Sequence, residues 1–332
     1  MNASADLILT NRAGLRIGIN PLGATWTSCQ LPLADGQRRE LLLGSRDLAA
    51  MLSGGSYLGA TVGRYAGRIA HGRFAGRQAL DLNQPPHCLH GGSQGFSRRL
   101  WSLVQDGKVD DGHLIRLRLL SPDGDQGFPG NLRAEACFLL SRDNSLSITF
   151  TATTDAPTPC NLTSHAYFNL NGGDGDDGLA QQLQLAASHY QPVSADGIPD
   201  GKPLPVAGTG FDFRQMKRLD QDFLKDAGQQ QVGGYDHSFL LDSPGMAVPA
   251  AQLRSSDDRV LVQIFSDQPA LHLYTGQFLA GTEKRDGNHY RNLAGIALES
   301  QFPPDSPSRG LAILQPGDTY RHCIRYVFRS CQ

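Results

Sequence analysis

The sequence predicts an all-β fold, and the prediction rests on frequent turn residues, short alternating segments between them, and little helical periodicity. Glycine (38 residues) and proline (19 residues) recur along the chain, and such punctuation between short β-rich runs marks antiparallel sandwiches and barrels. In chain order, residues 46–52 have the spacing of about two helical turns. LIRLRLL (114–120) alternates apolar and charged residues, which places one strand face in a core and the other in water. LSITFTAT (146–153) alternates in the same way and is rich in β-formers. Met216, Leu219, Phe223 and Leu224 make one short apolar face, predicting a helix that ends before Gly228. LVQIF (261–265), LHLY (271–274) and CIRYVF (323–328) continue the strands. No strand–helix alternation recurs, which argues against a doubly wound sheet.

At 332 residues the chain has room for one large β domain or two ordinary ones. Strand-like segments continue on both sides of 171–178 and 196–210, so these read as long loops within one domain spanning 1–332. The charge balance is even, 30 basic against 32 acidic residues with a net charge of −2. No basic stripe suggests nucleic acid, and no apolar run is long enough to cross a membrane. A small neutral ligand fits that balance best. The first residues lack a signal-peptide pattern, and the six cysteines are scattered without a Cys-x-x-Cys pair. Reduced thiols and a cytoplasmic location are therefore expected.

Some local patterns suggest chemistry and fail on context. GGSQG (91–95) fits the Gly-x-Ser-x-Gly elbow of a serine hydrolase, which needs a strand entering and a helix leaving. Here two prolines precede it, and FSRRLWSLV (96–104) reads as a turn and then a strand. DGDDG (174–178) opens like a calcium loop, but its twelfth position is Leu185 where a bidentate glutamate is needed. It reads as an acidic surface loop. His87 and His90 have a spacing used by metal ligands, but they lie in a turn-like segment next to two prolines and two glycines. No metal is expected.

What remains is a set of polar residues on separate β-rich segments: Arg68, His90, His165, Asp236 and Glu299. Taken singly, each has an ordinary structural explanation. His165, within PCNLTSHAYFNL (159–170), reads first as a buried histidine satisfied by its neighbours, and otherwise as a proton carrier. Glu299 fits the structural explanation least well. It follows the apolar run LAGIAL (293–298), so it is expected to emerge partly buried, with donors around it or a raised pKa. A glutamate and a histidine together form the pair that reversible acid–base chemistry uses.

At these residues the sequence resembles the aldose 1-epimerase (galactose mutarotase) family. The matching motifs run through most of the chain: LGATVGRYAGRIAHGRF (58–74), LHGGSQGFSRRLW (89–101), SPDGDQGFPGNL (121–132), PCNLTSHAYFNL (159–170), YDHSFLL (235–241), YTGQFLAG (274–281), LESQFPPDSPS (298–308) and LQPGDTYRHCIRYVF (314–328). The resemblance implies a large, mostly antiparallel β-sandwich, a supersandwich, that binds a monosaccharide in a cleft. It implies interconversion of the α and β anomers of an aldose such as galactose or glucose, with no cofactor and no metal. Glu299 would be the general base and His165 the general acid, while Arg68, His90, Asp236 and His272 would hold sugar hydroxyls. The protein would act as a monomer or homodimer.

The sequence departs from the family pattern at two of the matched positions. Gly67 stands where many members carry asparagine before the arginine, and His272 stands where glutamine is familiar. Both bear on which aldose is preferred. Two other readings of the same scaffold are a non-catalytic sugar-binding or sugar-sensing protein and an epimerase of a phosphorylated hexose. The second would need a cationic cluster, for which Arg98 and Arg99 are the nearest candidates.

Overall fold

The computed structural model describes residues 5–74, 77–78 and 80–331. Among these residues strands dominate, and three antiparallel sheets are large. A nine-stranded sheet runs, in spatial order, Ser102–Val109, Gly112–Ser121, Leu132–Ser141, Ser145–Thr154, Tyr320–Ser330, Val260–Ser266, Ala251–Arg254, Gln182–Leu185 and Lys217–Arg218. A six-stranded sheet runs Tyr167–Phe168, Ile296–Gln301, Ala270–Tyr274, Asp236–Leu240, His189–Gln191 and Leu204–Pro205. A four-stranded sheet is formed by Leu7–Thr10, Arg16–Asn20, Thr25–Pro32 and Arg38–Glu40. This is the large antiparallel β-sandwich expected from the sequence, and each strand named there lies in one of these sheets.

Apolar residues from all three sheets share one core. Ile115, Phe138, Ile148 and Phe150 enter it from the nine-stranded sheet, and Phe239, Leu271, Leu273 and Leu298 from the six-stranded one. Trp26 joins the layers: its ring lies 5.0 Å from Tyr326 and 5.8 Å from Phe168, on strands of the other two sheets. Large aromatic side chains in such contacts carry much of a core's stability.

The first helix spans Leu48–Gly54, close to its predicted place. Asp47 caps it by accepting the Ala50 N–H at 2.9 Å, and Gly55, at φ +83°, ends it. The second prediction is corrected. Residues 217–218 form a strand on Gln182 and Leu183, and the chain then passes through turns. Lys217 and Arg218 pair with Asp222 and Asp220, closing turns where the apolar spacing suggested a helix. The helix begins only at Ala227 and runs to Val232, with Gly228 inside it.

Strand alternation positions the candidate site. In Ile296–Gln301, Ile296 and Leu298 enter the core, so Ala297, Glu299 and Gln301 face outward. Register places Glu299 opposite His272 and His272 opposite Ser238, a row across three strands. Behind this sheet, Ser300 points inward. Its hydroxyl donates to His322 Nε2 at 2.9 Å, and His322 Nδ1–H donates to the Leu162 carbonyl at 2.8 Å. The fully buried His322 thus links the strand that carries Glu299 to the segment that leads to His165.

Burial pushes the His322 imidazole down to about 4, although nearby Asp267 pulls the other way. The unfolded chain takes up that proton near 6.5, so falling pH favours unfolding across this window. Melting temperature should therefore fall from pH 6.5 to pH 4, with a shallower slope in His322→Gln, as read by calorimetry. Some slope should remain, because burial also pushes His237 down to about 4.

Candidate active site

A cleft of about 280 Å³ opens on the outer face of the six-stranded sheet. Arg68, His90, His165, Asp236, His272 and Glu299 all line it, so segments separated by more than 200 positions converge on one space. Glu299 and His272 come from the sheet itself, with Asp236 at the start of the neighbouring strand. His165 arrives from the other side: Thr163–Ser164 pairs with Thr61–Val62, and the His165 N–H donates to the Ala60 carbonyl at 2.8 Å.

Glu299 is more buried than its sequence context suggested, at 2% exposure. Its Oε1 lies 3.6 Å from His165 Nε2, beyond a full hydrogen bond. Glu299 Oε2 and His165 Nδ1 are both buried without a protein partner. Leaving such atoms buried and unpaired is costly, which sets this pair apart from an ordinary structural contact. The His165 ring stacks on Tyr57 at 5.7 Å and lies 4.9 Å from Tyr167. These rings exclude water around the pair and fix the imidazole's plane.

The polar end of the cleft is differently arranged. His272 Nε2 donates to Asp236 Oδ1 at 2.7 Å, and His272 Nδ1 accepts from Ser238 Oγ at 2.9 Å. Arg68 Nη1 stands 3.8 Å from Asp236 Oδ2, and Arg68 Nε donates to Gln84 Oε1 at 2.7 Å. Burial alone would raise the Asp236 pKa, but the His272 hydrogen bond and the Arg68 charge outweigh it and hold the carboxyl well below its ordinary value. Asp236 is a fixed carboxylate.

His90 is a fixed neutral donor. The Gly67 N–H donates to its Nδ1 at 3.1 Å, so the ring proton sits on Nε2. Burial, then the charges of His165, Arg68 and His272, push its pKa well below the usual histidine range. The backbone requires glycine next to it: a Cβ on Gly91 would stand 1.9 Å from the Gly63 carbonyl. Ligand-type atoms of His90, His165 and Glu299 lie within 4.8 Å of one another. A metal would need the lone pair on His90 Nε2, where this tautomer carries hydrogen, so the set is built for hydrogen bonding.

The discarded motifs find structural explanations. Ser93 Oγ donates to Gln126 Oε1 at 3.2 Å and is followed by a short 3₁₀ turn, Phe96–Arg98. Asp174 and Asp176 pair with Arg285 and Lys284. His87 turns away from His90 and bonds Asp196. Sequence reasoning missed Tyr57, Gln84, Tyr167, Tyr274 and Gln301, which also line the cleft. A period-two reading from Glu299 would have found Gln301. Beside Gly67, at φ +85°, a Cβ would meet Gln301 Nε2 and Pro304 Cγ at 3.4 Å, an ordinary contact distance, so the backbone conformation and not crowding is what favours glycine there.

The family model for aldose 1-epimerase matches residues 6–327. The chain belongs to the aldose 1-epimerase family. It is 41% identical to the aldose 1-epimerase of Escherichia coli K12 over 331 residues, spanning 97% of this chain and 94% of that one. It is 35% identical to the galactose mutarotase of Mus musculus over 323 residues, spanning 95% and 91%. The solved structure of an aldose epimerase homologue from C. elegans superposes with a TM-score of 0.87 at 28% identity, spanning 99% of this chain and all of that one. As a member of this family, the protein is an isomerase that interconverts the α and β anomers of aldoses.

Ring ¹⁵N spectra should find His90 still neutral, with its proton on Nε2, at a pH where an ordinary histidine is largely protonated. In His272→Phe the Asp236 carboxyl should titrate at a higher pH than in the wild type.

Proposed function

We propose that Glu299 and His165 carry out anomerisation as general base and general acid on free galactose or glucose. The observation that carries this reading is the 3.6 Å approach of two buried groups, each with an unpartnered atom. Opening the hemiacetal removes the proton from the C1 hydroxyl while the ring oxygen gains one. Glu299 takes the first proton and His165 supplies the second, so neither charge develops fully on the sugar. Rotation about C1–C2 turns the aldehyde, and the ring recloses with the two roles reversed.

Arg68, Asp236, His272 and His90 orient the sugar. Asp236 accepts from hydroxyls, while Arg68 and the His90 Nε2–H donate. The ligand is neutral, so these charges balance one another across the cleft. A purely sugar-binding protein would gain nothing from leaving a carboxylate and an imidazole unpaired beside each other. A phosphorylated hexose is disfavoured because Arg98 and Arg99 are engaged elsewhere. Arg98 donates to the Leu52 and Ser93 carbonyls, and Arg99 pairs with Asp125. The apolar core shared by the three sheets supports one domain, and the unpaired thiols support a reducing, cytoplasmic setting.

Polarimetry of freshly dissolved α-D-galactose or α-D-glucose tests the pair. Glu299→Gln and His165→Asn should each lower kcat by roughly 10²- to 10⁴-fold. A wild-type rate in either variant removes that residue from the mechanism. Asp236→Asn should act on KM instead, raising it about tenfold or more through loss of a charged hydrogen-bond acceptor.

A further inference from the structure

The cleft continues past Arg68 and Asp236 into a second hollow of about 410 Å³, and Arg68, Gln84, Asp236 and Phe278 line both. Its walls hold a buried histidine that the chemistry above leaves unused. His87 Nδ1 accepts the His71 N–H at 3.2 Å, so the ring proton lies on Nε2 and is donated to Asp196 Oδ2 at 2.7 Å. Asp196 also accepts from Ser194 Oγ. The turn that carries Asp196 is closed by Gly197 N–H to the Ser194 carbonyl at 2.9 Å, with Val193 bridging Pro199.

This turn lies directly against the guanidinium of Arg68. Gly197 is at φ +76°, and a Cβ there would stand 2.6 Å from Arg68 Nη1 and 2.8 Å from its Cζ. A second hold comes from the other end of the same short turn as His87. Gln84 and His87 exchange backbone hydrogen bonds of 2.7 and 3.2 Å, and Gln84 Oε1 takes the Arg68 Nε proton. One tight turn therefore fixes the guanidinium twice, directly by Gln84 and indirectly by His87, through Asp196, to the glycine that covers it. Arg68 Nη1 is left 3.8 Å from Asp236 Oδ2, close enough for charge attraction and too far for a hydrogen bond, so a ligand hydroxyl can be shared between them.

We propose that His87 and Asp196 are positioning residues whose contact holds the 194–197 turn against Arg68 and so fixes that guanidinium for sugar binding. The proposal rests on the reading of Arg68 as a sugar-binding residue. The Asp196 side chain is 53% exposed, and half-exposed ion pairs add little to stability. Placement of the loop is the effect that remains. Hydrogen bonds from Ser194 and then His87 hold the Asp196 carboxyl down to about 2, so the contact persists across the working pH range.

The test is the KM of galactose by polarimetry, with kcat measured alongside. Asp196→Ala should raise KM roughly three- to tenfold while kcat stays within about twofold. Asp196→Asn, whose carbonyl can still accept from His87 Nε2, should restore KM to within about twofold of wild type. Gly197→Ala should raise KM as Asp196→Ala does, because its methyl displaces the guanidinium. In an Arg68→Lys background Asp196→Ala should add almost nothing further, since its effect passes through Arg68. If Asp196→Ala leaves KM unchanged while Arg68→Lys raises it, the proposal falls and the role of Arg68 stands. An equal rise in both backgrounds marks a merely structural effect and also overturns it. A wild-type KM in Arg68→Lys removes the sugar-binding reading, and this proposal with it.

Discussion

The register of the six-stranded sheet is the constraint on which the site depends. Glu299, His272 and Ser238 stand in one row only because their strands pair as they do. A slip of one residue would send Glu299 and His272 into an apolar core and bring Leu298 and Leu273 to the surface. The cost of burying those charges unpaired, and of exposing those side chains, excludes the alternative register. The same leucines that build the sandwich therefore aim the chemistry.

The two ends of the cleft use buried charge in opposite ways. At one end Asp236 takes a hydrogen bond from His272 on one oxygen and faces Arg68 with the other, so it stays a carboxylate. At the other, Glu299 and His165 keep unpartnered atoms and near, but incomplete, contact. The paired end stabilises the fold, while the unpaired end costs stability that substrate contacts can offset.

Much of this was legible in the sequence. Strands such as 114–120 and 146–153 follow from alternation alone, and the candidate residues that the motifs named in family order line one cleft. What alternation could not provide was the meeting of His165 with Glu299, because His165 follows a two-residue ladder, Thr163–Ser164, in a separate small sheet. The helix expected over 216–224 failed for a local reason. Asp220 and Asp222 close turns with the basic residues beside them, and sheet pairing takes the backbone of 217–218. Tyr57 and Gln84 were invisible for a third reason: their importance lies in loops whose path only the assembled fold defines.

His322 sits on the core side of the sheet, bonded through Ser300 to the strand of Glu299 and through Leu162 to the segment of His165. The spacing of Glu299 and His165 is therefore held in part from the interior. A change made in the core around His322 would therefore be felt at the cleft with none of its lining residues altered.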